Sequence, residues 1–107
     1  MWNEPTKKRL NEVPRLYETE EVPIKEKVIH LHFFMGNCDW YAVEFDGEDT
    51  FFGYAILNGD HQNAEWGYFS LSELVRLKVG WLEVDCEKEA TWSNVRVGNI
   101  DHIKTWK

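Results

Sequence analysis

Residues 28 to 69 contain short apolar segments separated by turn residues, and this pattern constrains the fold more than any other feature of the chain. In the first segment Ile29, Leu31 and Phe33 fall on one face, and His30 and His32 fall on the other. A period of two residues is the spacing of a strand with one buried face, and short connections join antiparallel neighbours. The pattern therefore predicts a meander of four antiparallel strands, at residues 28–34, 39–45, 50–57 and 66–69.

The third segment has two local features that refine this prediction. Asp46 and Gly47 precede it, and an Asp-Gly pair is typical of a hairpin turn with positive φ. Gly53 lies in its middle, where a missing side chain predicts the close approach of a helix, an aromatic ring or a ligand. Because the segment is apolar on both faces, we expect it to be central in the sheet.

Helix signals lie on both sides of the meander. Residues 4–13 begin with Pro5 in the first turn and stop at Pro14, which predicts a short N-terminal helix. Ser70 and Glu73 have the spacing of a capping box and predict a second helix over about residues 71–78. The sequence thus predicts an α+β fold: an antiparallel meander sheet of four or more strands with two short helices, the capped one packed on the sheet.

The rest of the chain completes a single predicted domain of 107 residues. Tail residues 81–86, 91–97 and 100–106 have strand-like patterns, with a candidate hairpin turn at Gly98-Asn99.

Acidic residues dominate the middle of the chain. Residues 28–75 contain eight Asp and Glu and no Lys or Arg, while the net charge of the whole chain is −7. Such asymmetry indicates a surface for a basic protein partner, and it disfavours direct nucleic-acid binding because carboxylates repel phosphates. Many of these acids follow strand ends, so we expect one rim of the sheet to be negative. The predicted acidic face consists of Glu44, Asp46, Glu48, Asp49, Asp60, Glu65, Glu83 and Asp85. A merely solubilising role for these residues stays open.

Other sequence features bear on location and assembly. There is neither a secretory signal nor an apolar run long enough to span a membrane, so we expect a cytoplasmic protein. Cys38 and Cys86 lack metal-site spacing and are expected to be free thiols. We expect no cofactor and either a monomer or a homodimer.

Aromatic residues suggest an alternative function. Most of the six Trp, six Phe and four Tyr will fill the core, and the remainder could line a pocket at Trp40, Gly53, Tyr54 and Tyr68. His30 and His32 project from one strand face within reach of one metal ion, but no third ligand stands at a defined spacing. We therefore predict no metal site and keep these two histidines as weak candidates.

Four sequence blocks carry a family resemblance: Leu16 to Pro23, Trp40-Tyr41, Phe51 to Tyr54 and Gly67 to Leu74. Together they resemble the bacterial and phage family catalogued as domain of unknown function 2958, over roughly residues 10–85. The resemblance implies a small cytoplasmic protein often encoded on phages, plasmids and integrated elements, without an established activity. Beyond Cys86 the chain departs from the pattern.

These features give two functional hypotheses. The first is a non-enzymatic cytoplasmic accessory protein of a mobile element that binds or inhibits a basic, nucleic-acid-handling host protein. The alternative is a small-molecule or nucleotide-binding module with an aromatic pocket, whose enzymatic form would be a metal-dependent hydrolase.

Overall fold

A five-stranded antiparallel sheet forms the centre of the protein, in a computed structural model that describes residues 1–93 and 95–105. The strands are β1 (Val28–Ile29), β2 (Leu31–Met35), β3 (Cys38–Phe45), β4 (Thr50–Ile56), β5 (Glu65–Ser70), β6 (Lys78–Val79), β7 (Leu82–Glu83), β8 (Asp85–Cys86) and β9 (Val95–Arg96). The helices are α1 (Lys7–Glu12) and α2 (Leu71–Arg76), with 3-10 turns at Ile24–Glu26 and Val97–Asn99. The main sheet has the order β5-β4-β3-β2-β8, and β1-β9 and β6-β7 form small pairs. The predicted α+β meander is confirmed.

The turn between β3 and β4 forms as the Asp-Gly pair predicts. Gly47 has a φ of +91°, and the Asp46 side chain accepts hydrogen bonds from the amides of Glu48, Asp49 and Thr50 at 2.7, 2.8 and 3.0 Å. These hydrogen bonds satisfy turn amides that have no partner in the hydrogen-bond ladder between β3 and β4. The Glu48 amide is the largest cause that lowers the pKa of Asp46.

A β-bulge in β3 changes which of its residues share a face. Ala42 pairs with Gly53, but the next pair along joins Glu44 to Phe52, so Val43 is the extra residue. Strict alternation predicts Phe45 on the face of Tyr41 and Val43, and that prediction is wrong. One inserted residue reverses the alternation beyond it. Glu44 therefore lies on the Tyr41 face.

Two core clusters pack on opposite faces of the main sheet. The first lies beneath α2 and includes Phe33, Trp40, Phe45, Phe51 and Leu74. The second lies beneath the C-terminal segment and includes Ile29, Tyr41, Tyr54, Val97 and Ile103. Both faces of β4 are covered, as expected for a central strand.

Gly53 marks a close approach, but the approaching group is the backbone of β3 rather than a helix, an aromatic ring or a ligand. A Cβ atom at this position would lie 1.9 Å from the carbonyl oxygen of Tyr41. The backbone of β3 itself occupies the space that a side chain would need, next to the bulge.

The second helix begins with the predicted cap. The Ser70 hydroxyl accepts the Glu73 amide at 3.2 Å, and the Asp49 carboxylate accepts both the amide and the hydroxyl of Ser72 at 2.8 and 2.7 Å. The helix ends at Arg76, two residues earlier than predicted, because Lys78 already pairs in the β6-β7 hairpin. Neither α-helix in the described part of the chain is long and apolar enough to cross a membrane.

The tail differs most from the sequence prediction. Its strands are two residues long, and Gly98 and Asn99 lie in a 3-10 turn rather than a hairpin. Residues 100–105 contain no strand, and Trp106 of the predicted last strand lies outside the described residues. Val97 and Ile103 instead pack singly against the sheet, so burial here does not require a continuous strand.

Candidate functional site

The two candidate metal-binding histidines lie in different settings. His30 falls between β1 and β2, and burial lowers its pKa, opposed by the nearby Glu12 carboxylate. The His32 ring stacks on Tyr41 at 4.5 Å, and its Nε2 atom lies 2.7 Å from Oδ1 of Asp39. Among residues 1–93 and 95–105, no three His, Cys, Asp or Glu side chains are grouped to hold a metal ion. The geometry therefore gives the histidine metal site no support.

The predicted aromatic pocket does not form as one site. Trp40 pairs with Ala55 in β4 and belongs to the cluster under α2, whereas Tyr54, one residue away in β4, belongs to the opposite cluster. Successive residues of a strand point to opposite faces, so Trp40 and Tyr54 cannot line one pocket. Gly53 pairs with Ala42 and lies against the backbone of β3. Tyr54 and Tyr68 share a face but line different cavities, and Tyr68 also lines a groove beside α2 together with Trp40.

Glu44 is not part of an exposed acidic face. Only 4% of its surface is exposed, and it accepts hydrogen bonds from the amides of Tyr17 and Thr19 at 2.8 and 3.1 Å and from the Thr19 hydroxyl. The bulge turns this carboxylate toward the face that residues 15–24 cover. We call residues 15–24 the arm.

The remaining predicted acids do not form one negative rim. Residues 46–49 lie in the β3-β4 turn, and Asp60 lies in the β4-β5 loop. Successive turns of an antiparallel meander fall at opposite ends of the sheet. The structure shows this directly, because Gly59 bonds to Asn37 of the β2-β3 turn, while Asp49 bonds to Ser72 at the other end.

Several of these carboxylates also have local structural roles. The side chain of Asn63 is the main cause that lowers the pKa of Asp60. Glu83 pairs with the amino group of Met1, which lowers its pKa. The Asp85 carboxylate accepts a hydrogen bond from the Asn3 side chain at 3.1 Å. Asp85 and Glu83 belong to different sheets. Glu65 stays exposed beside a cavity.

A groove of about 540 Å³ lies between the arm and the sheet, and we call it the arm groove. Its lining combines aromatic rings with carboxylates: Tyr17, Phe52, Tyr68, Glu20, Glu21 and Glu44. Lys27 contributes a cation at its inner side. The two carboxylates of Glu20 and Glu21 are solvent-exposed. The groove is therefore aromatic in its walls and acidic in its charge.

Buried polar contacts hold the arm in place. The Lys27 ammonium donates to the Thr19 hydroxyl at 2.8 Å and to the Thr19 carbonyl, and Thr19 in turn bonds to Glu44. Tyr17 has a φ of +72°, which is uncommon for a residue other than glycine. The hydrogen bond from the Tyr17 amide to the Glu44 carboxylate stabilises this conformation. Residues that their surroundings hold in a sparsely populated region of φ/ψ space are typical of functional segments.

Two tyrosines form the mouth of the arm groove. Tyr17 and Tyr68 expose 61% and 57% of their surfaces, and their hydroxyl oxygens lie 3.3 Å apart. This hydrogen bond is the largest cause that raises the pKa of Tyr68, and the carboxylates of Glu44 and Glu20 add to it. The negative potential of the groove thus acts on the tyrosine at its entrance.

A second cavity, of about 470 Å³, continues along the same face. Phe52 lines both cavities, and Tyr54, Glu65 and Trp66 line the second. The Trp66 indole donates to the Lys104 carbonyl at 2.8 Å. The buried Tyr54 hydroxyl has no hydrogen-bond partner within the described residues.

Comparison with known families now bears on this site. The family described as protein of unknown function DUF2958 matches residues 5–97 of the 107-residue chain. The chain belongs to the DUF2958 family. The match confirms the predicted resemblance and extends it at both ends, past Cys86 to residue 97. No curated protein and no solved structure matches the chain significantly.

Three of the four segments that carry the DUF2958 resemblance meet at the arm groove. Tyr17, Glu20 and Glu21 come from the first block, Phe52 from the third and Tyr68 from the fourth. Sequence reasoning missed the arm as a site because it has no regular periodicity. The signal that could have found it was the three glutamates that follow Tyr17 within the first DUF2958 block.

Proposed function

We propose that this protein is a non-enzymatic binding protein that holds a positively charged segment of a partner protein in the arm groove. The observation that carries the proposal is the meeting of Tyr17 and Tyr68 with Glu20 and Glu21 around one opening. Guanidinium and ammonium groups bind well to aromatic faces flanked by carboxylates. This combination favours a cation over an apolar or anionic ligand.

Charge in and around the groove supports this ligand class. The lining has three carboxylates, and its one cation, Lys27, is buried and bonded to Thr19. The net charge of −7 would also accelerate encounter with a basic partner. A nucleic-acid-handling host protein, inhibited by a mobile-element accessory, is the concrete form of the proposal, since such enzymes have basic surfaces.

The acidic residues have different tasks in this proposal. Glu20 and Glu21 are exposed and available to pair with a ligand. Glu44 is buried and accepts three hydrogen bonds from the arm, so it positions Tyr17 rather than contacting the partner.

An arginine peptide tests the proposal. Hexa-arginine amide is titrated by calorimetry into the wild-type protein, the double variant Glu20→Gln/Glu21→Gln, and the control Glu4→Gln/Glu48→Gln. Both variants lose two exposed carboxylates, but only the first pair lines the groove. We expect about tenfold weaker binding for the groove variant alone, which corresponds to about 1.4 kcal/mol.

The same titration also tests the salt dependence, and two of its outcomes would reject the proposal. Affinity should fall as salt rises from 50 to 200 mM, roughly over the range in which exposed charges become screened. Equal weakening in both double variants would reduce the effect to net charge and reject the groove. Absence of binding to the wild-type protein would reject it as well.

A second candidate function is the binding of a planar small molecule in the neighbouring cavity. Its volume of about 470 Å³ lies within the usual range for ligand pockets, about 300 to 1,000 Å³. The aromatic lining of Phe52, Tyr54 and Trp66 and the unpartnered Tyr54 hydroxyl favour it. A panel of nucleosides, followed through thermal stability, tests it: a rise in Tm that Trp66→Leu abolishes would support this function.

A further inference from the structure

We infer that the partner's basic segment binds in an extended conformation, as an additional strand on the outer edge of β5. This inference rests on the proposed function and specifies the kind of partner that the groove accepts. Strand addition takes its affinity from main-chain hydrogen bonds and its specificity from pockets for alternate side chains. Strand β5 offers both.

The main-chain groups of β5 are arranged for such pairing. β5 is the outermost strand of the main sheet and pairs with β4 along its whole length, Glu65–Ser70. The amide of Leu71 points inward, to the Asp49 carbonyl at 2.8 Å. Hydrogen-bonding direction alternates along a strand, so the amides of Trp66 and Tyr68 point outward from the edge. In the described part of the chain no strand pairs with this side of β5.

The two edges of the sheet differ in how they are protected. Proteins guard edge strands with lysine, proline, bulges or short length, because an open edge pairs readily with other chains. The opposite edge, β8, is two residues long and is followed by Glu87 and Lys88. β5 is six residues long, contains no lysine or proline, and pairs with β4 without a bulge. The absence of basic residues from 28 to 75 thus leaves β5 itself without a lysine, and Lys104 donates to the carbonyls of Gln62 and Ala64, before β5 begins.

Cavities on both faces of β5 specify the side chains of the added strand. On one face Trp66 and Tyr68 border the two aromatic cavities, with exposed carboxylates at Glu20 and Glu21, and Lys104 also lines the cavity beside Trp66. On the other face, a groove of about 430 Å³ separates β5 from α2; its lining is mainly apolar, with Leu57, Phe69 and Leu74, and also includes Glu73 and Arg76. An added strand with basic and aliphatic residues in alternation would match both faces.

The experiment uses an acetylated, amidated hexapeptide of alternating arginine and valine. Amide hydrogen exchange of the protein is followed by NMR with and without saturating peptide. We expect exchange at Trp66 and Tyr68 to slow at least tenfold. Two control peptides are the sequence with three arginines followed by three valines, and the alternating peptide N-methylated at every residue, which keeps the charges but removes the main-chain N–H donors of its residues. Both should bind at least tenfold more weakly.

The outcomes separate this inference from the proposed function. If the N-methylated peptide binds as well as its parent and the two amides stay unprotected, strand addition is overturned while the groove can still bind cations. If hexa-arginine binds but the alternating peptide does not, strand addition is likewise overturned while the groove can still bind cations. If Trp66 and Tyr68 are protected but Glu20→Gln/Glu21→Gln has no effect, the added strand stands and the arm groove fails. Binding of neither peptide rejects both.

Discussion

The hydroxyl oxygens of Tyr17 and Tyr68 lie 3.3 Å apart, although 51 positions separate the two residues in the chain. Tyr17 comes from the arm and Tyr68 from the open edge strand β5. Their contact places the aromatic mouth of the arm groove directly beside the edge that we propose as the docking site. The groove and the edge are therefore parts of one surface.

Removal of the Tyr17 hydroxyl should change the ionisation of Tyr68. The hydrogen bond between them is the largest cause that raises the pKa of Tyr68, so Tyr17→Phe should lower that pKa toward its ordinary value. The phenyl ring stays in place, so the groove keeps its aromatic wall. NMR of the tyrosine Cζ carbon during a pH titration measures the change; an unaltered Tyr68 titration would show that the two hydroxyls do not interact in solution.

Replacement of Glu44 should loosen the arm. Glu44→Gln leaves one acceptor oxygen and puts an N–H₂ donor against amides that also donate. Loss of a buried charged acceptor costs about 1.5 to 3 kcal/mol, and we expect the free energy of unfolding in urea to fall by about 2 kcal/mol. Glu48→Gln, at an exposed turn position, serves as the control and should change it by less than about 0.5 kcal/mol. Equal effects of both substitutions would contradict a positioning role for Glu44.

A methyl group added at Gly53 should destabilise the fold far more than one added at Gly67. The two glycines face each other in the register of β4 and β5, yet a Cβ at Gly53 would lie 1.9 Å from the Tyr41 carbonyl oxygen and one at Gly67 would meet nothing within 4 Å. Gly53→Ala should destabilise the fold by about 3 kcal/mol or prevent folding, because β3 must move. Gly67→Ala should be neutral or stabilise by up to about 1 kcal/mol, through lower entropy of the unfolded chain. Chemical denaturation of both variants compares them.

Acid should destabilise the protein partly through His30. Burial lowers its pKa in the folded state, so the unfolded state binds more protons as pH falls below about 6.5, the ordinary histidine pKa. The contribution of neutral His30 is present above that pH and is lost as pH falls through its lowered folded-state value. Unfolding free energies measured between pH 8 and 5 should decline less steeply in His30→Gln than in the wild type. The exposed His61→Gln is the matched control, and an identical slope in all three proteins would rule out His30 as the source.

Local patterns in the sequence were sufficient for the secondary structure of the meander. The alternation of Leu31 and Phe33 in β2, the Asp46-Gly47 turn and the Ser70 cap each depend on contacts within a few residues, and each appears in the structure as expected. Ile29, predicted on the face of Leu31 and Phe33, lies in the opposite cluster because the strand is interrupted at His30. In the tail the local patterns, including the Gly98-Asn99 turn signal, predict longer strands than the structure contains. The apolar residues of the tail are set by the sheet surface that they cover rather than by their own spacing.

The candidate site depends on contacts that no local pattern encodes. Sequence alone determined the four-strand meander, the acidic charge and the absence of lysine from the edge strand, because these follow from residue type and period. Tertiary structure decided that the bulge at Val43 turns Glu44 inward and that the arm folds over it to meet Tyr68. The physical reason is that a one-residue bulge reverses every face beyond it. Its position is fixed by packing across strands, which only the folded chain contains.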